Sequence, residues 1–146
     1  MGRRGARGRV SGMAQLPAEP GDRLRVADAA AARALFAPLA AERVEVAAFA
    51  YLDPEWRLLG LRHARSAAAA AIDVPMRAVA TDVLALDCAR VVMAHNHPSG
   101  DAAPSAADRA QTKRLAQALD ALDVQLFDHL VIAGERVTSF RALGLL

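Results

Sequence analysis

Apolar runs separated by turn residues predict a hairpin in the first half of the chain. Val44 to Leu52 is apolar and contains β-branched and aromatic residues, a composition typical of a strand. The sequence Asp-Pro-Glu at 53–55 favours a reversal of the chain. Trp56 to Leu61 is therefore predicted as the returning strand, whereas residues 62–73 fit either a loop or a weak helix.

Further strands are predicted in the second half of the chain. Val91 to Ala94 is a short, wholly apolar run of the kind found in buried strands. Val124 to Phe127 and Leu130 to Ala133 are predicted as two separate strands, followed by a Gly-Glu turn at 134–135. A last short strand is expected to begin at Val137.

Helical periodicity marks three stretches, Val26 to Ala40, Val74 to Leu86 and Ser105 to Leu122, each with apolar residues three or four positions apart. Pro75 suits the first turn of the second helix, because its missing amide would have no partner there. Antiparallel and mixed strands with helices set around them predict an α/β (α+β) fold, with a mixed central sheet flanked by helices.

The length of 146 residues predicts one domain with a substantial core. Residues 1–20 are rich in glycine, arginine and proline and show no periodicity, so they are predicted to form a disordered basic tail. The folded domain is therefore expected to span 21–146. No apolar core follows the arginines, which argues against a secretory signal.

Charge and composition narrow the classes of partner. The formal charge is +2, but four arginines precede the first acidic residue, and the rest of the chain is slightly negative. Aromatic residues make up only 4% of the chain, which argues against a base-stacking platform. Nucleic-acid binding is thus supported by the tail alone, and no apolar run approaches the roughly 18 residues of a membrane span. The oligomeric state is left open.

Cys88 is the single cysteine, so no intrachain disulfide can form. A lone cysteine in an apolar pattern is typical of a small buried residue rather than a nucleophile. This cysteine usage fits a reducing compartment, and a cytoplasmic location is expected.

The residues that suggest chemistry lie within 14 positions. His95 and His97 follow an apolar strand two residues apart, so their side chains should lie on one face of the sheet. Asp108 falls in the first turn of a predicted helix, where the helix dipole favours an ionised carboxylate. Two imidazoles and one carboxylate form a three-ligand zinc shell that leaves a fourth position for water.

Each part of this pattern also has a purely structural explanation. A pair of histidines at the end of a strand can arise by chance. Ser105 and Asp108 have the spacing of a capping box, which would explain both residue types without a metal. The structural explanation of Pro98, Gly100 and Pro104 is that they shape the loop. The conjunction of all these residues is what favours a metal site.

The same residues resemble a known motif. His95, His97, Ser105 and Asp108 have the spacing of the JAMM motif of the JAB/MPN+ zinc metalloproteases. The sequence HNHPSGDAAPSAAD is more closely similar to the bacterial RadC-like JAB domain family. FDHLVIAG at 127–134 resembles that family's DHLIVAG segment, and EVAAFAYLD from Glu45 onward resembles its first strand. The resemblance extends over roughly residues 26–146.

The resemblance implies a cytidine-deaminase-like JAB/MPN architecture and a Zn²⁺-dependent hydrolase. Such an enzyme would cleave a peptide or isopeptide amide bond with zinc-bound hydroxide. His95, His97 and Asp108 would be the zinc ligands. Ser105 would hydrogen-bond the water or the developing oxyanion. The substrate would be a peptide or protein.

Glu45 would be the general base of this hydrolase, with Glu42 as its rival; the spacing to the end of the strand favours Glu45. His129 is expected to support the site from behind or to be structural. His63 is expected to be an exposed residue without a role in the site.

The chain departs from the family pattern around the expected substrate groove. Ala47 replaces a phenylalanine, the alanines at 67–71 replace a Gly-Thr segment, and Pro75-Met76-Arg77 replaces Pro-Arg-Glu. The helix-hairpin-helix region of longer members has no counterpart in this sequence. The altered segment at 62–77 leaves a non-catalytic JAB-fold interaction module as one alternative. The other alternative is an accessory protein associated with DNA repair or mobile elements, which in this sequence only the arginine-rich tail supports.

Overall fold

A computed structural model of the protein describes residues 12–15, 23–66 and 73–146. These residues form six strands, three α-helices and one 3₁₀ helix. The strands are β1 (Ala14–Gln15), β2 (Val46–Leu52), β3 (Leu58–Arg65), β4 (Arg90–Asn96), β5 (Gln125–Ala133) and β6 (Arg136–Ser139). The helices are α1 (Ala29–Phe36), the 3₁₀ helix (Ala37–Ala41), α2 (Met76–Leu86) and α3 (Ala106–Asp120).

The six strands form one mixed sheet in the order β1-β3-β2-β4-β5-β6. β4 and β5 are parallel and are joined by the crossover helix α3, whereas the other neighbouring strands are antiparallel. The α/β prediction of a mixed central sheet flanked by helices is therefore confirmed.

Both faces of the sheet are buried. α2 and α3 pack on one face, here called the α2/α3 face, whose core consists mainly of Phe49, Tyr51, Val79, Val83, Met93, Leu115 and Leu119. α1 and the 3₁₀ helix cover the opposite face, here called the α1 face, with Phe36, Leu39, Val92, Leu130 and Ile132 at its centre. Because strand side chains alternate, successive residues of β2 and β4 contribute to opposite faces.

Two predictions of strand boundaries were wrong. β5 is one continuous strand, although two were predicted, and its register with β4 shifts between Val91 and Val92, which pair with Leu126 and Asp128. β3 continues to Arg65, so residues 62–65 are neither loop nor helix. The charge of Arg62 made this part of the strand look like a loop in the sequence. In the structure that charge is paired with the buried carboxylate of Asp82, so Arg62 fits within the strand.

The helix predictions were correct in place and inexact in extent. The stretch from Val26 forms α1 and then a 3₁₀ turn, with Pro38 near the start of that turn. Pro75 lies at the N-cap of α2 and Ser105 at the N-cap of α3. None of the helices in the described ranges has the length and apolar character needed to cross a bilayer.

Parts of two predictions lie outside the described residues. Of the predicted tail at 1–20, only 12–15 are described, and Ala14 and Gln15 pair with Leu61 and Gly60 of β3. The alanine segment at 67–71 and its neighbour at 72 likewise lie outside the described residues.

Candidate metal centre

Three of the predicted site residues converge where β4 meets α3. His95 is the penultimate residue of β4, is 3% exposed and lies on the α2/α3 face. His97 directly follows the strand, and its backbone amide donates to the carbonyl of Ile132, which extends the pairing with β5. Asp108 lies in the first turn of α3. The strand end and the helix start thus bring three ligand types to one place.

The distances between the ligand atoms match a metal site. Nε2 of His95 lies 2.8 Å from Nε2 of His97, and Oδ2 of Asp108 lies 3.3 Å and 3.1 Å from these two nitrogens. Zinc bonds of roughly 2.0–2.2 Å in a tetrahedron separate neighbouring ligand atoms by about 3.3 Å. Among the described residues, this is the group of histidine, cysteine or acidic side chains whose ligand atoms lie close enough to share an ion.

The tautomer of His97 leaves a lone pair facing the centre. Its Nδ1 lies 2.7 Å from the backbone carbonyl oxygen of Asp101. A carbonyl only accepts, so Nδ1 of His97 carries the proton and donates it. In the neutral imidazole the other nitrogen, Nε2, is then unprotonated.

A chain of hydrogen bonds fixes the tautomer of His95 in the same way. The hydroxyl of Thr112 donates to the carbonyl of Asp108 at 2.6 Å, so its oxygen accepts from Nδ1 of His129 at 2.7 Å. Burial, the largest cause, lowers the pKa of His129 well below its ordinary value, so His129 is neutral; with its proton on Nδ1, its Nε2 is an acceptor. Nδ1 of His95 lies 2.6 Å from that Nε2 and donates to it. The lone pair on Nε2 of His95 therefore faces the centre as well.

The donor set therefore fits a cation. Burial raises the pKa of Asp108, and the hydrogen bonds from Ser105 oppose this effect because they favour the ionised carboxylate. In the neutral tautomers set by the bonds of His97 and His95, two imidazole lone pairs and a carboxylate oxygen face one another within 3.3 Å. Their mutual repulsion is relieved by a positive ion, and two nitrogens with one carboxylate oxygen suit zinc.

Asp108 is both part of a capping box and part of the centre. Its Oδ2 accepts from the backbone amide of Ser105 at 2.8 Å, and its own amide donates to Oγ of Ser105 at 3.0 Å. The same Oδ2 faces both imidazoles. The capping and ligand interpretations therefore hold together, and the cap fixes the carboxylate that the metal would use. Ser105 reaches the centre through Asp108, and its predicted bond to water or oxyanion stays a prediction.

The structure distinguishes the two candidate bases. Oε1 of Glu45 lies 3.9 Å from Nε2 of His97, and the carboxylate is partly exposed. Glu42 instead forms a two-pronged ion pair with Arg65, at 2.9 and 3.0 Å. Only Glu45 of the two faces the centre, although its role as base stays a prediction.

The centre is open to solvent on one side. The side chains of His97 and Asp108 are each 11% exposed, so the donor triangle opens outward. A cavity of about 460 Å³ lies beside His97. Its walls include Ala40, Ala41, Glu42, Arg43, Asn96, Pro98, Gly100, Ile132 and Gly134. Of the three converging residues, only His97 borders this cavity.

Several supporting residues were missed or only half anticipated from the sequence. Thr112 lies one helical turn after Asp108, and that i, i+4 spacing was the available signal for it. His129 is buried behind His95, as the expectation of a supporting role requires. His63 is exposed on β3 and takes no part in the centre, and Cys88 is buried.

The sheet, its helices and the histidine–aspartate centre define a JAB-type α/β domain. The family model for the RadC-like JAB domain matches residues 26–145, and the chain belongs to that family.

Several curated relatives match this chain over part of their own length. A UPF0758 protein of Polaromonas sp. (strain JS666) is 42% identical over 102 residues, which cover 70% of this chain and 46% of the relative. The UPF0758 protein YfjY of Escherichia coli K12 is 38% identical over 96 residues, covering 66% and 60%. YeeS of the same strain is 49% identical over 74 residues, covering 51% and 50%. The chain spans about half the length of the curated relatives it matches.

Proposed function

We propose that this chain is a zinc-dependent hydrolase of the JAMM type that cleaves a peptide or isopeptide amide bond. The observation that carries the proposal is the triangle formed by the ligand atoms of His95, His97 and Asp108, which lie within 3.3 Å of one another. The carboxylate of Glu45 lies 3.9 Å from one corner of this triangle.

His95, His97 and Asp108 would hold the zinc ion, and three protein ligands are the number typical of a catalytic rather than a structural zinc. When bound, zinc lowers the pKa of water to roughly 7 and polarises a carbonyl oxygen. The protein fixes its own ligands through the bonds of His97 to Asp101 and of His95 to His129. Such outer hydrogen bonds raise the basicity of the ligating imidazoles.

The remaining chemistry is assigned to two side chains. Glu45 would take a proton from the attacking water and deliver it to the leaving nitrogen, as base and then acid. Ser105 would donate its hydroxyl proton to the developing oxyanion, because its oxygen already accepts from the amide of Asp108. The substrate would be a peptide or protein whose scissile bond lies at the exposed edge formed by His97 and Asp108.

Metal content tests the first half of the proposal. The full chain purified without chelator is expected to carry about one zinc per chain, and His95→Ala and Asp108→Ala less than about 0.2. His63→Ala is the matched control, since it removes an exposed histidine outside the centre. If wild-type protein holds less than 0.2 zinc per chain and His95→Ala holds the same amount, the metal site is refuted.

Cleavage tests the second half. The zinc-loaded chain is incubated with a library of peptides and of lysine-linked isopeptides, and products are detected by mass spectrometry. Glu45→Gln is expected to keep its zinc but lose activity by about 10²- to 10⁴-fold, the usual contribution of a general base. Glu42→Gln is the control and should stay active. Cleavage that survives Glu45→Gln contradicts the assignment of the base, and a fully metallated wild type that cleaves nothing refutes the hydrolase and favours the interaction module.

A further inference from the structure

Asn96 lies between the two histidines of the centre, yet its side chain is directed away from the metal ligands. It is the last residue of β4 and is only 2% exposed. Strand alternation places His95 on the α2/α3 face and Asn96 on the α1 face. A buried amide side chain costs stability unless it is fully hydrogen-bonded, so its partners reveal what it holds.

All hydrogen-bond partners of the Asn96 side chain lie on the segment that carries Glu45. Its Oδ1 accepts from the backbone amide of Val46 at 2.7 Å. Its Nδ2 donates to the carbonyls of Val44 at 3.0 Å and of Glu42 at 3.2 Å. One side chain therefore binds three backbone groups on both sides of Glu45, about 50 positions away in the sequence.

The hydrogen bonds of the Asn96 side chain lie just beyond the end of the backbone pairing between β2 and β4. The last backbone pair between β2 and β4 is Ala47 with His95. Continued by one step, the register would place Val46 opposite Asn96, and by two steps Glu45 opposite His97. The amide of Val46 is instead bound by the side chain of Asn96, which takes the part of the missing peptide group.

We infer that Asn96 is a positioning residue that holds Glu45 against the metal centre. Without it, the segment before β2 is held by the bond from the amide of Ser66 to the carbonyl of Glu45, and at Glu42 by its bond to Leu39 and its ion pair with Arg65. The 3.9 Å approach of Glu45 to His97 then has no support on the β4 side. The catalytic consequence rests on the proposed hydrolase, whereas the position of Glu45 can be measured without it.

The control variant is Tyr51→Phe. It removes another buried side-chain hydrogen bond from β2, that of the Tyr51 hydroxyl to Asp82 at 2.6 Å. Tyr51 lies five residues along the strand from Val46, a distance of about 17 Å. Both Asn96→Ala and Tyr51→Phe are expected to lower stability, but only Asn96→Ala should move Glu45.

The first test uses amide exchange and crystallography on the full chain. In Asn96→Ala the amide of Val46 is expected to exchange at least about tenfold faster, with Tyr51→Phe unchanged at that amide. The crystal structure should show the Glu45 carboxylate withdrawn from His97 and the three ligands in place. If Asn96→Ala does not fold, Asn96→Asp replaces it: this variant keeps the acceptor for Val46 but loses both donors, so Val46 stays protected while Glu45 shifts.

The second test is a double-mutant cycle on a substrate that the wild type cleaves. Asn96→Ala is expected to lower kcat by about tenfold with KM and zinc content unchanged, and to cause no further loss in the Glu45→Gln background. Losses that multiply in the double mutant, or an unmoved Glu45 with a protected Val46 amide, would overturn the inference. If no substrate is cleaved, the hydrolase proposal fails, and exchange and crystallography alone still decide the role of Asn96.

Discussion

Thr112 offers the sharpest test of how the protein prepares His95 for a metal. Its hydroxyl donates to the carbonyl of Asp108 and accepts from Nδ1 of His129. Replacement of Thr112 by valine keeps the branched shape of the side chain and removes both bonds. His129 then has no fixed acceptor at Nδ1 and can carry its proton on Nε2 instead.

The change of tautomer at His129 also changes the tautomer of His95, the proposed metal ligand bonded to it. A proton on Nε2 of His129 would be donated to Nδ1 of His95, 2.6 Å away. Neutral His95 would then be protonated on Nε2, the atom that faces the centre. The two hydrogen bonds lost are each worth about 1 kcal/mol. Zinc binding to Thr112→Val is therefore expected to weaken by about 10- to 100-fold, the range usual for outer-shell partners of metal ligands.

Competition with a chromophoric chelator measures this zinc affinity directly. Thr112→Ser is the matched control, because it shortens the side chain but keeps the hydroxyl, and it should bind zinc like the wild type. Nitrogen chemical shifts of the metal-free protein provide a second readout. They should show His95 protonated on Nδ1 in the wild type and in Thr112→Ser, and a mixture of tautomers in Thr112→Val.

Two results would refute this reasoning. One is a Thr112→Val protein that binds zinc as tightly as Thr112→Ser. The other is a wild-type spectrum in which His95 carries its proton on Nε2, since the hydrogen-bond chain from Asp108 would then run in the opposite direction.

Three further predictions follow from the fold. Chelation of zinc is expected to lower Tm but preserve the far-UV circular dichroism, because β4 pairing and the α3 cap hold the ligands, and loss of the helical signal at 25 °C would contradict this. Asp82→Ala should lower the free energy of unfolding by about 3 kcal/mol in urea titrations, since it removes the buried carboxylate that both Arg62 and Tyr51 contact, whereas Tyr51→Phe should cost about 1 kcal/mol. Burial raises the pKa of Cys88 from 9.0 to about 12, so the folded thiol stays protonated when the unfolded one ionises. Stability should therefore fall as pH rises above 9, and Cys88→Ala should flatten that alkaline decline; equal slopes would contradict the assignment.

The centre could be predicted because its parts are local in sequence. A strand end, a tight turn and a helix start bring His95, His97 and Asp108 together within 14 positions, and period-2 alternation fixes the direction of both imidazoles. The hairpin and the helices were predictable for the same reason, since each has a local apolar pattern.

The errors arose where tertiary contacts overrode the local pattern. Asp128 and His129 interrupt the apolar run of β5 and suggested a break, but both are satisfied inside the sheet. Asp128 accepts from the hydroxyl of Ser139 at 2.6 Å, and His129 is bound by Thr112 and His95. A local sequence pattern does not indicate hydrogen-bond partners that lie 11 to 34 positions away. The contacts of Asn96 with residues 42–46 were hidden for the same reason.

The histidine pair and the asparagine between them follow from one geometric fact. Nearest neighbours on the same face of a strand are two residues apart, so the residue between two such ligands is directed to the opposite face. In this fold that face meets the segment leading into β2, which carries Glu45. The three residues at the end of β4 thus supply two metal ligands on one face of the sheet and a support for the proposed base on the other. Substitution of the middle residue should therefore change proton transfer without changing zinc affinity, whereas substitution of either histidine should change both.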